Sequence, residues 1–400
     1  MNPSPVDRIQ ATNPFAEIWW DSSPLIFADW RRQMLEAAPD QRKDELAAQL
    51  DRLVDFSKGG VGSFRGCTTN PPLSLQAVKS DPAFWDKRID ALAREHPDLD
   101  AAGLAWVLYK EIIRRGAEVY RPLWEASGGR YGFVSGQLDP RLFTETETMI
   151  VQAREIHGLA PNVMVKVPGS TQGIDVLQAV TAEGIPTNVT TCFTVPQVMA
   201  AARAAAEGVA LAAKNGVDMK HWRAVITLMV ARLTEREALT EQAQRRGITL
   251  SSVDKKWFGI AVFKRSYRLL RDGGYPSKLL LCSVRPGPVV AGRPAFWDVE
   301  TVTGGNIVYT LPPYALTPMF NTADSLDIRP EAMDEDVPAA SLERILQTPY
   351  GLQSYDPNGL SIDQFNDLPA TRYTVADFSK SASGLEDYVA GRLGAAGRRP

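Results

Sequence analysis

Cysteine is scarce. Cys67, Cys192 and Cys282 are the only three in 400 residues, far apart and without metal-ligand spacing. An odd, sparse set supports no disulfide framework and fits a reducing cytoplasm. Histidine is as rare: His96, His157 and His221 show neither metal nor triad spacing, so no metal and no cofactor is expected. No apolar run reaches the length of a membrane-spanning helix, and residues 1–16 carry no charged-then-apolar leader. Neither sign of charge dominates, because 44 Lys and Arg stand against 47 Asp and Glu for a net charge of −3. That balance gives no reason to expect nucleic acid or a membrane surface as partner. Also missing is a Gly-x-Gly-x-x-Gly after an early strand, which counts against a dinucleotide-binding sheet. A cytoplasmic protein acting on a small molecule is what these absences leave.

What is present is a regular alternation. Eight short apolar runs read as strands: Ile18–Asp21, Phe64–Asn70, Tyr131–Gln137, Asn162–Pro168, Ile185–Phe193, Ala224–Arg232, Lys278–Arg285 and Gly304–Pro313. Most are followed by helix. Residues 25–56 read as helical, and 73–128 hold two or three helices, the cleanest period being Leu104, Val107, Leu108 and Ile112. Helices also follow over 143–157, 173–183, 196–214 and 233–272. Strands alternating with helices build a parallel sheet, and eight such units in about 300 residues fit a (β/α)₈ barrel; an open doubly wound sheet is the alternative. The expected organisation is a barrel over 1–320 with extra helices, and a C-terminal extension over 321–400 packed on it. Within the extension, 323–347 is acidic with one helix, 349–370 is loop-like, 373–394 is a terminal helix, and the last four residues are frayed.

In a barrel of this kind chemistry sits at the C-terminal ends of the strands. Those tips carry Asp21, Asn70, Gln137, Lys166, Asn188 with Thr190, Thr227 to Arg232, Ser283 with Arg285, and Tyr309-Thr310. Lys166 stands out, since Val163, Met164, Val165 and Val167 make its strand apolar on both faces. Burial lowers a lysine pKa, and a neutral amine attacks carbonyls. A lysine that condenses with a ketone forms a protonated Schiff base, an electron sink for breaking a carbon–carbon bond once a base removes the β-hydroxyl proton. Asp21 is the tip carboxylate placed to act as that base. Asparagine amides suit sugar hydroxyls. Arg232, Arg285 and Ser283 suit a phosphate, although Arg285 could equally pair with a structural carboxylate.

These residues resemble the transaldolase family of class I, Schiff-base-forming aldolases. The resemblance rests on Trp19-Trp-Asp-Ser22, Thr68-Thr-Asn-Pro71, Val163-Met-Val-Lys-Val-Pro168 with Thr171-Gln-Gly173, Gly184-Ile-Pro-Thr-Asn-Val-Thr190, Ile226-Thr-Leu-Met-Val-Ala-Arg232, Cys282-Ser-Val-Arg285 and Val308-Tyr-Thr-Leu-Pro-Pro313. It covers residues of about 15–320. It implies a barrel with the Schiff-base lysine, Lys166, on the fourth strand and Asp21 as acid–base residue. Asn70 and Asn188 would hold the dihydroxyacetone unit, Thr190 the catalytic water, and Arg232, Ser283 and Arg285 the phosphate, with Thr227 in the place of a nearby serine. The implied activity is transfer of a dihydroxyacetone unit from a ketose phosphate to an aldose acceptor, as in the non-oxidative pentose phosphate pathway. Two positions depart. Gln137 stands where the family has a water-activating glutamate, which is similar to the fructose-6-phosphate aldolase branch, and Met229 stands where transaldolases have phenylalanine and those aldolases tyrosine. An aldolase-type lyase, or a biosynthetic homologue with an unusual acceptor, is therefore the second expectation. A non-catalytic sugar-phosphate-binding protein is the third. A homodimer is compatible with the chain but not specified by it.

Overall fold

In the computed structural model, residues 2–235, 237–290 and 292–395 are described. Eight parallel strands form a closed barrel: β1 (Glu17–Trp20), β2 (Gly66–Thr68), β3 (Phe133–Gln137), β4 (Val163–Pro168), β5 (Thr187–Cys192), β6 (Ala224–Met229), β7 (Lys278–Cys282) and, beyond a small hairpin of β8 (Val289–Val290) and β9 (Arg293–Pro294), β10 (Val308–Leu311). The barrel closes where β10 pairs with β1. Helices surround it, as the alternation predicts. The barrel strands are short and buried except at Lys278, the first residue of β7, which is why they read as continuous apolar runs rather than alternating ones. Gly66 is needed at the start of β2, because a Cβ there would lie 2.6 Å from the Trp19 ring.

Several boundaries differ from the sequence reading. The 25–56 helix is two, Phe27–Ala37 and Asp40–Arg52, parted at Pro39, which holds Ala38 extended. The sixth strand stops at Met229, and Val230–Thr234 is a short helix, so Arg232 sits on the turn above the strand rather than on it. The 233–272 helix is likewise two, Glu237–Arg245 and Ser252–Asp272, with Gly247 between them at a positive φ of 69°.

The larger correction is in the extension. Residues 349–370 are not loop-like: Pro349–Tyr355 is a helix, Ile362–Asp367 a 3₁₀ segment, and the terminal helix begins at Pro369 and runs to Ala395. The local signals are Thr348, whose hydroxyl caps Gly351 N, and Gln364, whose Oε1 accepts from Ser361 N. The expected fraying of the last four residues lies outside the described residues. The terminal helix packs on helices Pro71–Ser80, Pro82–Glu95 and Ala101–Ala126, on the 3₁₀ turn Pro140–Leu142 after β3, and against β5. Leu385 and Val389 are buried in that contact face, and Arg392 and Tyr388 anchor it to Asp90 and Asp86. The helix therefore passes over the C-terminal side of the barrel.

Candidate active site

Strand register assembles the centre. Gln137, Lys166 and Asn188 are direct neighbours across β3, β4 and β5 and form one row. Lys166 is 2% exposed, and its Nζ donates to Thr69 O at 3.2 Å. Asn188 is held at both ends of its amide: Nδ2 donates to Ser135 Oγ at 2.9 Å, and Oδ1 accepts from Thr227 Oγ1 at 2.6 Å. Thr227 thus holds Asn188 of the lysine row by a hydrogen bond and makes none to the phosphate-type residues. Between Val189 and Cys192 the pairing of β5 with β6 slips, and Thr191 takes a φ of 50°. A bulge of this kind re-aims a side chain near a site, and Thr190 lies within it. Gln137 Oε1 and Thr190 Oγ1 are both buried without a hydrogen-bond partner in the protein.

Asp21 follows β1 directly. Its Oδ1 accepts from Thr68 Oγ1 at 2.7 Å, and Thr68 in turn bonds Thr310. Burial pushes the Asp21 carboxyl up, against the pull of Lys166 and Thr68. Burial pushes the Lys166 amine down, against the nearby Cys282, Asp21 and Cys67. The two groups attract but are not in ion-pair contact, so each is drawn towards its uncharged form. Burial, aided by Asp21, also raises the Cys282 thiol to about 11, which keeps that thiol protonated at neutral pH.

Six of the sequence-selected residues, Asp21, Asn70, Met229, Arg232, Ser283 and Arg285, line one cavity of about 480 Å³. Lys166, Gln137, Asn188, Thr190 and Thr227 are buried and do not line it. Asn70 caps the helix after β2 through Oδ1 to Leu73 N at 2.9 Å, leaving its amide NH₂ as the remaining donor. Ser283 holds a φ of 60°, a costly conformation for a non-glycine residue. Arg285 donates to Glu235 at 3.0 Å and to Tyr314 Oη at 2.7 Å, and Arg232 donates to Asp377 at 2.9 Å. Sequence reasoning missed the contributions of Thr68, Ser135 and Tyr314, which carry no signal beyond their neighbours, and of Asp377, Phe378 and Ser381, which come from the terminal helix. Among the described residues no group of three or more His, Cys, Asp and Glu is placed to hold a metal ion, and no helix is long and apolar enough to cross a membrane.

The family model described as Transaldolase/Fructose-6-phosphate aldolase matches residues 48–349. The chain belongs to that family. Among curated relatives named transaldolase, the one from Mycobacterium ulcerans (strain Agy99) is 34% identical over 207 residues, 51% of this chain and 53% of the relative. That from Thiobacillus denitrificans (strain ATCC 25259 / T1) is 28% identical over 288 residues, 68% of this chain and 77% of the relative. That from Mycobacterium leprae (strain TN) is 32% identical over 197 residues, 48% of this chain and 50% of the relative. The chain thus spans about half the length of the mycobacterial transaldolases it matches. Asp21 and the terminal helix both fall outside the stretch the family model matches.

Proposed function

We propose that this protein is a transaldolase-type transferase acting on sugar phosphates in the cytoplasm. The observation that carries the reading is the buried, unpaired Lys166 beside Asp21, each shifted towards its neutral form. The Lys166 amine adds to the carbonyl carbon of a ketose phosphate, protonated Asp21 gives its proton to the departing hydroxyl, water leaves, and a protonated imine and the Asp21 carboxylate remain. Asp21 removes the proton of the β-hydroxyl. The bond between the α and β carbons breaks, its electron pair moves into the imine to form an enamine, and an aldose phosphate departs. Forming the imine fixes a positive charge beside Asp21, which favours the carboxylate at the step that needs a base. The enamine carbon then attacks the aldehyde of an acceptor, Asp21 returns the proton, and water hydrolyses the imine. Asn188 and Asn70 suit the hydroxyls of the three-carbon unit. Gln137 and Thr190 suit the hydrolytic water, with Gln137 orienting it but unable to take its proton.

A second reading, an aldolase-type lyase releasing the three-carbon ketone, is favoured by Gln137 alone. Borohydride trapping with fructose 6-phosphate tests both: mass spectrometry finds a reduced three-carbon adduct on Lys166, and absence of any adduct rejects both. Turnover that needs an aldose acceptor supports transfer; sustained donor cleavage without acceptor supports the lyase.

A further inference from the structure

The terminal helix reaches into the mouth of the barrel. Phe378 is buried there, and Asp377, Phe378 and Ser381 line the same cavity as Asp21 and Asn70. Asp377 Oδ2 accepts from Arg232 Nη2 at 2.9 Å, and the guanidinium lies 5.2 Å over the Phe378 ring. The Arg232 side chain is 18% exposed and that of Asp377 41%, so the carboxylate lies on the solvent side of the pair. Arg232 Nη1 is buried without a partner. A guanidinium can serve two anions along different edges, but two anions on one guanidinium repel each other. Glu235 on Arg285 is a weaker case, because both side chains of that pair are more than a third exposed and solvent screens them.

We propose that Asp377 is a specificity-determining residue: it competes with the phosphate of the substrate for Arg232. The idea rests on reading the cavity as a sugar-phosphate site. A phosphate that approaches Arg232 meets the Asp377 charge at close range, and it gains only the difference between two ion pairs. A hydroxylated sugar without phosphate meets no such opposition. The terminal helix therefore sets how strongly phosphorylated sugars are preferred over unphosphorylated ones, through a residue more than 200 positions from the lysine.

The test compares the wild type with Asp377→Asn, which keeps the shape and removes the charge. Calorimetric titration with inorganic phosphate is expected to show about tenfold tighter binding to the variant. In borohydride trapping at Lys166, half-saturation by fructose 6-phosphate is expected to fall by a similar factor, while that by dihydroxyacetone stays the same. Asp377→Ser, a second neutral variant, must move phosphate binding in the same direction. Phosphate binding that is unchanged or weaker in both variants overturns the proposal. Failure of the enzymatic reading is seen separately, as no Lys166 adduct in the wild type, and the phosphate titration still decides the role of Asp377.

Discussion

A carboxylate stands at each end of strand β1, the buried Glu17 on its first residue and the half-buried Asp21 just past its last, and the two live in opposite circumstances. At the N-terminal end Glu17 accepts from Arg223 at 2.5 Å, from Lys278 at 2.7 Å and from Trp19 Nε1 at 3.0 Å. Burial pushes its pKa up, but Arg223 and Lys278 outweigh burial and hold it at about 2. At the C-terminal end Asp21 has the Thr68 hydroxyl in contact and the Lys166 amine nearby but not in ion-pair contact, and burial wins. A buried charge with its partners in contact is structure; a pair of charges held apart in a strand-tip cluster is chemistry waiting for a third group. A cavity lies at each end, but the cations of the first are already committed to Glu17.

The comparison breaks most visibly at Lys166. Lys166→Met is expected to abolish borohydride trapping and to lower turnover by at least about a thousandfold. Thermal unfolding should stay the same or rise, because an uncompensated buried amine is replaced by an apolar chain. A melting temperature that falls sharply would make Lys166 a structural cation like those around Glu17.

Asp21→Asn is expected to reduce kcat by about a hundredfold to a thousandfold, read in steady-state assays, again without loss of stability. Glu17→Gln should do the converse. It leaves the half-buried Arg223 and Lys278 without their anion, so chemical denaturation should show a loss of about 3 kcal/mol while kcat per folded molecule is retained.

Acid sharpens the same contrast. Glu17 titrates at about 2 in the folded chain against an ordinary 4.5. It therefore contributes stability above pH 4.5 that is lost as pH falls from there towards 2. Asp21, whose folded pKa is raised, binds its proton more tightly when folded, so protonation favours the fold there. Denaturation curves should lose part of their acid slope between pH 4.5 and 2 in Glu17→Gln and steepen above pH 3.8 in Asp21→Asn.

The smallest expected effect is at Gln137. Gln137→Glu puts a carboxylate beside Lys166, able to take the proton of a water, and adduct hydrolysis should quicken by about tenfold in single-turnover assays. The new charge favours the ammonium form of Lys166, so the pH dependence of adduct formation should move to higher pH.

Much of the candidate site's placement at strand ends was legible because a parallel barrel writes itself locally. Each strand is a short apolar run, and the polar residue closing the run is at the rim. Lys166, Asp21, Asn188 and Gln137 were found in this way. Arg232 was misplaced by one element, since Val230 and Ala231 continue the apolar run of β6 while the backbone has already turned into helix. The bulge that sets Thr190 left no mark, because Val189 to Cys192 reads as an ordinary strand.

By itself the sequence determined the barrel, the order of its strands and which side chains arrive at its rim, since these follow from burial patterns spanning a few residues. Only the tertiary structure decided which buried charges touch and which are kept apart. It also decided that the terminal helix lies across the mouth, with Asp377 on Arg232. That choice depends on Phe378, Leu385 and Val389 finding apolar partners far away in the chain. Their period predicts a helix with a buried face, but contact between distant segments is settled by packing and not by the pattern of either segment alone.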